Sequence, residues 1–142
     1  MKKFLAIVCV LAMAVSCLFV LASCGATPNS DPAVAKAALE EAGYIVFDAT
    51  TQYSYLDGIE SVIMGEYIDA DLSDLESLED LTDIDLEAVV IFYFESEAAA
   101  TAAFEEIKAE SQEATEEVTI DVCEQSGAMV YFGTSAGVKA AK

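Results

Sequence analysis

Residues 88–94 read Ala-Val-Val-Ile-Phe-Tyr-Phe, a run without a charge and with one hydroxyl as its only polar side-chain group. Strands turn successive side chains to opposite faces, so a strand apolar at every position is stable only when both faces are covered. β-Branched and aromatic residues favour a pleated strand over a helix at this length. The run is therefore expected to be the central core strand.

Local signals place the other elements around it. Asp31 before Pro32 predicts a helix start, because the carboxylate caps free N–H groups and proline suits the first helical position. The Ala-rich stretch 33–42 ends at Gly43, with Val34, Ala35, Ala38, Leu39 and Ala42 as its buried stripe. Strand-like runs at 44–48 and 59–68 flank a polar, tyrosine-containing segment that turns at Asp57-Gly58. Ser96 opens a second helix to about Glu110, and its Ala100, Ala103, Phe104 and Ile107 share one side. Small alanines let such a helix approach a sheet closely. Residues 118–124 and 128–132 predict a hairpin about Gln125-Ser126-Gly127, and Thr134 or Ser135 can cap a short last helix holding Val138 and Ala141. Grouped strands with few intervening helices imply an α+β fold: a mostly antiparallel sheet of four to five strands with helices on one face. A ferredoxin-like arrangement is the nearest named architecture.

The N-terminus is of a different kind. Lys2 and Lys3 precede a stretch, 4–22, that is apolar except for Ser16. As a helix rising ~1.5 Å per residue it would nearly cross a hydrocarbon core of ~30 Å, so an uncleaved membrane anchor is one reading. The small pair Ala22-Ser23 and the missing Lys or Arg at the far end favour a cleaved signal instead. Leu21-Ala22-Ser23-Cys24 resembles the lipobox of bacterial lipoproteins, in which leucine lies three positions before the modified cysteine. That resemblance implies removal of residues 1–23, a diacylglyceryl group on the Cys24 thiol, acylation of the new amino group, and residence on the extracytoplasmic face of the cell membrane. Two or three chains hold a protein stably where one does not. Residues 24–31 then form the lipidated N-terminus and a short tether, in which the seven residues 25–31 reach at most ~25 Å at ~3.5 Å each. Residues 32–142 form a single acidic domain.

Cleavage changes the composition on which function is judged. The 142-residue chain less 23 leaves 119 residues, all 26 carboxylates stay, and loss of Lys2 and Lys3 takes the formal charge from −20 to −22. The chain has no Arg, no His and no Trp. Such a domain should repel nucleic acid and anionic headgroups, and it lacks the guanidinium fork that grips phosphate. Cys9 and Cys17 leave with the signal and Cys24 is lipidated, so Cys123 is the one cysteine left and no intramolecular disulfide is expected. Acidic neighbours Asp121 and Glu124 argue for a structural thiol in a strand, not a nucleophile.

Between Glu66 and Glu87 the chain carries ten carboxylates, with Leu72, Leu75, Leu78, Leu81 and Ile84 at every third position. Steps of three drift ~60° around an α-helix, so no stable stripe forms and an acidic loop over 69–87 is expected. Asp69, Asp71 and Ser73 fit the first ligand positions of an EF-hand loop, but Asp74 stands where glycine is required and Asp80 where a bidentate Glu should be. A Ca²⁺-binding module with low selectivity is the alternative function this loop leaves open.

Histidine-dependent nucleophilic and zinc chemistry has no residues to use. Paired carboxylates could serve a cell-wall hydrolase, although 26 of them make chance pairs inevitable. The tyrosines at 44, 53, 55, 67, 93 and 131 suit core edges or a binding surface. The layout is similar to small uncharacterised lipoproteins of Gram-positive bacteria in three places: the helix end Ala38-Leu39-Glu40-Glu41-Ala42-Gly43-Tyr44, the Tyr93-Phe94 strand entering an Ala-rich helix, and Val130-Tyr131-Phe132-Gly133-Thr134. That resemblance implies no activity. No catalytic residue, metal site or cofactor is assigned. The expected function is a non-enzymatic protein-interaction or ligand-binding module of the envelope, attached through Cys24, whose partner is another envelope protein or a cationic molecule and not nucleic acid. Mass spectrometry of the membrane fraction should find acyl chains on wild-type Cys24 and lose them in Cys24→Ala. An unmodified wild-type thiol would sink the lipoprotein reading.

Overall fold

The computed structural model describes residues 26–69, 85–114 and 120–142. The signal sequence, Cys24, most of the acidic loop (70–84) and the start of the expected hairpin strand (118–119) lie outside the described residues.

Helix α1 (Pro32–Glu41) begins as the sequence predicts, with the Asp31 side chain accepting a hydrogen bond from Ala33 N–H at 2.9 Å. Strands β1 (Ile45–Asp48), β2 (Ile59–Asp69) and β3 (Asp85–Phe94) follow. Helix α2 (Glu97–Ala114) is a turn longer than its expected end at Glu110, then come β4 (Val122–Ser126), β5 (Met129–Gly133) and α3 (Ser135–Ala140). The five strands form one sheet in the order β1-β2-β3-β5-β4, and every neighbouring pair is antiparallel. β3 is central, running against β2 from Asp69 opposite Asp85 to Ile59 opposite Phe94, and against β5 from Gly133 opposite Val89 to Met129 opposite Tyr93.

Alternation along β3 divides the interior in two. Val90, Phe92 and Phe94 pack with Val62, Val130, Phe132 and the Ala100, Ala103 and Ile107 face of α2, and the turn segment 49–58 adds Ala49, Tyr53 and Leu56. Val89, Ile91 and Tyr93 pack on the other side with Ala35 and Leu39 of α1, Val138 of α3, Tyr131 and Ala141. The α+β class and the antiparallel five-stranded sheet stand as expected, but the helices occupy both faces instead of one. The reason lies in β3 itself, which has no face that tolerates water. The ferredoxin-like comparison holds for one half. β5 lies between β3 and β4, so β3-α2-β4-β5 is a split β-α-β unit, while β1-β2-β3 is an antiparallel meander because turns, not a helix, join β1 to β2. The stripe of α1 is also narrower than predicted. Ala35 and Leu39 are buried, whereas Val34 is 46% exposed and Ala42 is the exposed cap.

The expected tether is held to the domain where it is described. Pro28 is buried and Ala26 packs against the α1/α3 cluster. Asn29 N–H donates to the Ala141 carbonyl at 2.7 Å, and the Tyr93 hydroxyl donates to the Asn29 carbonyl at 2.9 Å. A core tyrosine needs a partner for its hydroxyl, and this backbone carbonyl supplies one at the sheet end.

The start of α3 is crowded against β3. Thr134 N–H donates to the Ala88 carbonyl at 2.8 Å, and the Thr134 hydroxyl oxygen accepts from Gly137 N–H at 3.1 Å as the helix cap. A Cβ on Gly133 would stand 2.3 Å from the Ala88 oxygen, and one on Gly137 would stand 2.8 Å from it. Backbone cannot yield there. Gly133→Ala should lower unfolding stability by about 3 kcal/mol in urea denaturation; a loss under about 1 kcal/mol would show that α3 does not need this approach.

Candidate functional site

Three buried tyrosines reach a carboxylate at the edge of the core. The Tyr44 hydroxyl donates to Glu87, that of Tyr53 to Glu110 at 2.8 Å, and that of Tyr131 to Glu124 at 3.0 Å. Each ring supplies core area while its hydroxyl stays satisfied. Burial pushes all three phenols up, and the carboxylates push the same way, bringing Tyr131 to about 12. Tyr93 is raised too, by burial first and then by Asp31. These four tyrosines therefore belong to the core and its rim, and Tyr67 is half-buried against Tyr44. Of the two roles expected of the tyrosines, core edge or binding surface, the second is left chiefly to Tyr55, which is 59% exposed and sits near Glu110 and Glu106 of α2.

The surface that sequence reasoning did not single out is the β1 edge. Ile45 is 60% exposed and Phe47 49% exposed. Phe47 lies opposite Met64 and Ile45 opposite Glu66, so both share the sheet face of Ile68, which is 50% exposed. α2 covers β3, β5 and β4 on that face but does not extend over β1. The available signal was the tetrapeptide Ile45-Val46-Phe47-Asp48 itself. A short strand apolar at three successive positions cannot bury both faces at a sheet edge. Beside it, the first turn of α1 (Pro32, Ala33, Lys36) and β1 (Val46, Phe47, Asp48) enclose a depression of about 170 Å³. Small-molecule sites take roughly 300 Å³ or more. Hydrogen bonds from Thr50 hold the Asp48 carboxyl below its ordinary pKa, so the rim of the depression stays anionic.

Cys123 stands half-buried in β4 as the expected strand thiol. Burial pushes it up, more than Ser111 and Lys108 pull it down, and Glu124 and Glu105 add to the rise. Among the described residues no three Cys, Asp or Glu side chains converge to hold a metal ion. The carboxylates from Asp71 to Asp83, on which the Ca²⁺ reading depends, lie outside them. Cys24 does as well.

The tyrosines give a pH prediction with a definite sign. Each is neutral in the fold and has a raised folded pKa, so its contribution is complete below the unfolded value near 10 and is lost as pH climbs through the folded value, about 12 for Tyr131. Alkaline unfolding should therefore begin above pH ~10, with buried phenols ionising together with the loss of structure. Smooth ionisation of all six tyrosines near pH ~10 in a still-folded protein would contradict the assigned hydrogen bonds.

No known protein family, curated protein or solved structure matches this chain.

Proposed function

We propose that the chain is a lipid-anchored, extracytoplasmic envelope module, not an enzyme, which binds a cationic protein partner along the edge of its sheet. The observation that carries the reading is the exposed β1 edge. In the described residues no strand pairs with the outer side of β1, and Ile45, Phe47 and Ile68 present apolar surface next to it. Ala49 N–H donates to the Val62 carbonyl at 2.9 Å. In the antiparallel ladder that fixes the alternation, so the backbone groups of Val46 and Asp48 point outward. An extended peptide could add a strand there, gaining main-chain hydrogen bonds and packing alternate side chains on the apolar strip.

Charge selects the partner class. After cleavage four lysines face 26 carboxylates. Docking of an acidic strand would meet that field, whereas lysine- or arginine-bearing partners would be steered in at a rate that falls with salt. The membrane attachment rests on Leu21 to Cys24. Among the described residues no helix is long and apolar enough to cross a membrane.

A photo-crosslinking residue at position 47 in intact cells should capture a discrete basic protein. The same residue at Ala102, exposed on α2, should not. Ile45→Lys with Ile68→Lys, which leaves position 47 for the crosslinker, should abolish capture without shifting the melting temperature by more than a few degrees. Equal capture from both positions, or capture that survives the double substitution, would refute the edge-binding reading.

A further inference from the structure

We propose that the face made by the bound N-terminal segment 26–31 and helix α3 is the surface this protein lays against an anionic lipid leaflet. The inference rests on the reading that the chain is membrane-attached through its N-terminus. What it adds is the orientation, taken from contacts within the domain. Asn29 N–H is tied to the Ala141 carbonyl at 2.7 Å, Tyr93 to the Asn29 carbonyl at 2.9 Å, and Thr27 hydrogen-bonds the Tyr131 hydroxyl. Ala26 packs against the core. Cys24 is two residues before Ala26, so no more than about 8 Å of chain separates the lipid-bearing residue from the packed one. A domain on so short a link cannot turn freely. Ala26 must sit within about one Debye length of the headgroups, near 8 Å at physiological salt, and the end of α3, bonded at Asn29, follows within three further residues, at most ~11 Å.

The charge on this face fits that position. Of the four lysines beyond residue 23, two lie in the last four residues, Lys139 and Lys142, and both are exposed. Carboxylates border the face as well, Asp121 accepting from Ser135 N–H, Glu124 from the Tyr131 hydroxyl and Asp31 from Ala33 N–H, so the face is less acidic than the rest of the domain and not basic. Elsewhere the domain is strongly anionic. A −22 body held this close to an anionic leaflet turns its lysine-bearing face inward and its carboxylates outward, because each lysine gains near the headgroups what each carboxylate loses.

The absence of tryptophan makes the test clean. Full-length protein carrying Ala136→Trp, exposed on α3, or Tyr55→Trp, on the segment over the opposite sheet face, is reconstituted with its anchor into phosphatidylglycerol vesicles with brominated acyl chains. Fluorescence at position 136 should be quenched several-fold more strongly than at position 55. Adding Lys139→Glu and Lys142→Glu should narrow that contrast in phosphatidylglycerol and leave it unchanged in phosphatidylcholine. Equal quenching at the two positions, including none at either, or a contrast indifferent to the charge reversal, overturns the orientation. The mass of the same preparation judges the anchor separately. A Cys24 without acyl chains ends the lipoprotein reading alone, since an uncleaved apolar segment through Ala22 would deliver the chain to the same Ala26.

Discussion

Two-sided burial of β3 is the constraint from which the rest of this fold follows. Val89, Ile91 and Phe92 are fully buried, and Val90, Tyr93 and Phe94 nearly so. Burying each such side chain contributes on the order of 1.5–3 kcal/mol, so leaving either face of the strand in water would cost more than a domain of this size has to lose. The chain answers with a layer on each side. Both layers come close because their contact residues are small. α2 meets the sheet through Ala100 and Ala103, and α1 through Ala35, with Leu39 standing 3.2 Å from where a Cβ on Gly65 would be. α3 comes closer still, with Gly137 over the Ala88 carbonyl, which Gly133 at the end of β5 also meets.

Acidity is handled at the rim of these layers. A body with 26 carboxylates repels itself, and with one described cysteine it has no disulfide among the described residues to hold it. Tyr44, Tyr53 and Tyr131 each carry core area inward and give a hydrogen bond outward to a glutamate. The phenol stays neutral, because burial first and the neighbouring carboxylate second disfavour its ionised form. Carboxylates thereby serve as hydrogen-bond acceptors for the core at no need of a cationic partner, in a chain that has few cations to offer.

Much of the architecture was legible because it rests on local chemistry: the Asp31 cap, the apolar run of β3, the alanine face of α2, the Thr134 cap. The distribution of helices between the two faces was legible only in principle. The run 88–94 demanded cover on both sides, yet nothing in α1, α2 or α3 taken separately states which side it covers, since that depends on where β5 inserts in the sheet. Which tyrosines would be core edge and which surface was hidden for a related reason. In sequence a tyrosine among glutamates looks like surface, and the long-range pairs 44–87 and 53–110 that turn such residues into core are invisible without the fold. The exposed β1 edge escaped notice because Ile45 and Phe47 look like ordinary core until the strand order places them outermost.

Both ends of β3 bear on the proposed function. At its C-terminal end Tyr93 holds Asn29 and with it the segment that follows Cys24 in the chain. At its N-terminal end Leu86 lies opposite the exposed Ile68, and Glu87 holds Tyr44, the residue before β1. Seven residues separate Tyr93 from Leu86, about 23 Å of strand at ~3.3 Å each. The central strand is thus a rigid spacer: Asn29, on the segment that leads toward the proposed attachment point, is bonded to one end, and the apolar strip proposed to meet a partner begins at the other. A force on the proposed anchor would enter through Asn29 and Thr27, which are bonded to Tyr93 of β3, to Ala141 and to Tyr131 of β5, and not through the short edge strand β1. An edge that pairs and releases, as proposed for β1, can remain weakly held on one side only if the load passes elsewhere, and this hydrogen-bonding pattern would send it into β3, β5 and the end of α3.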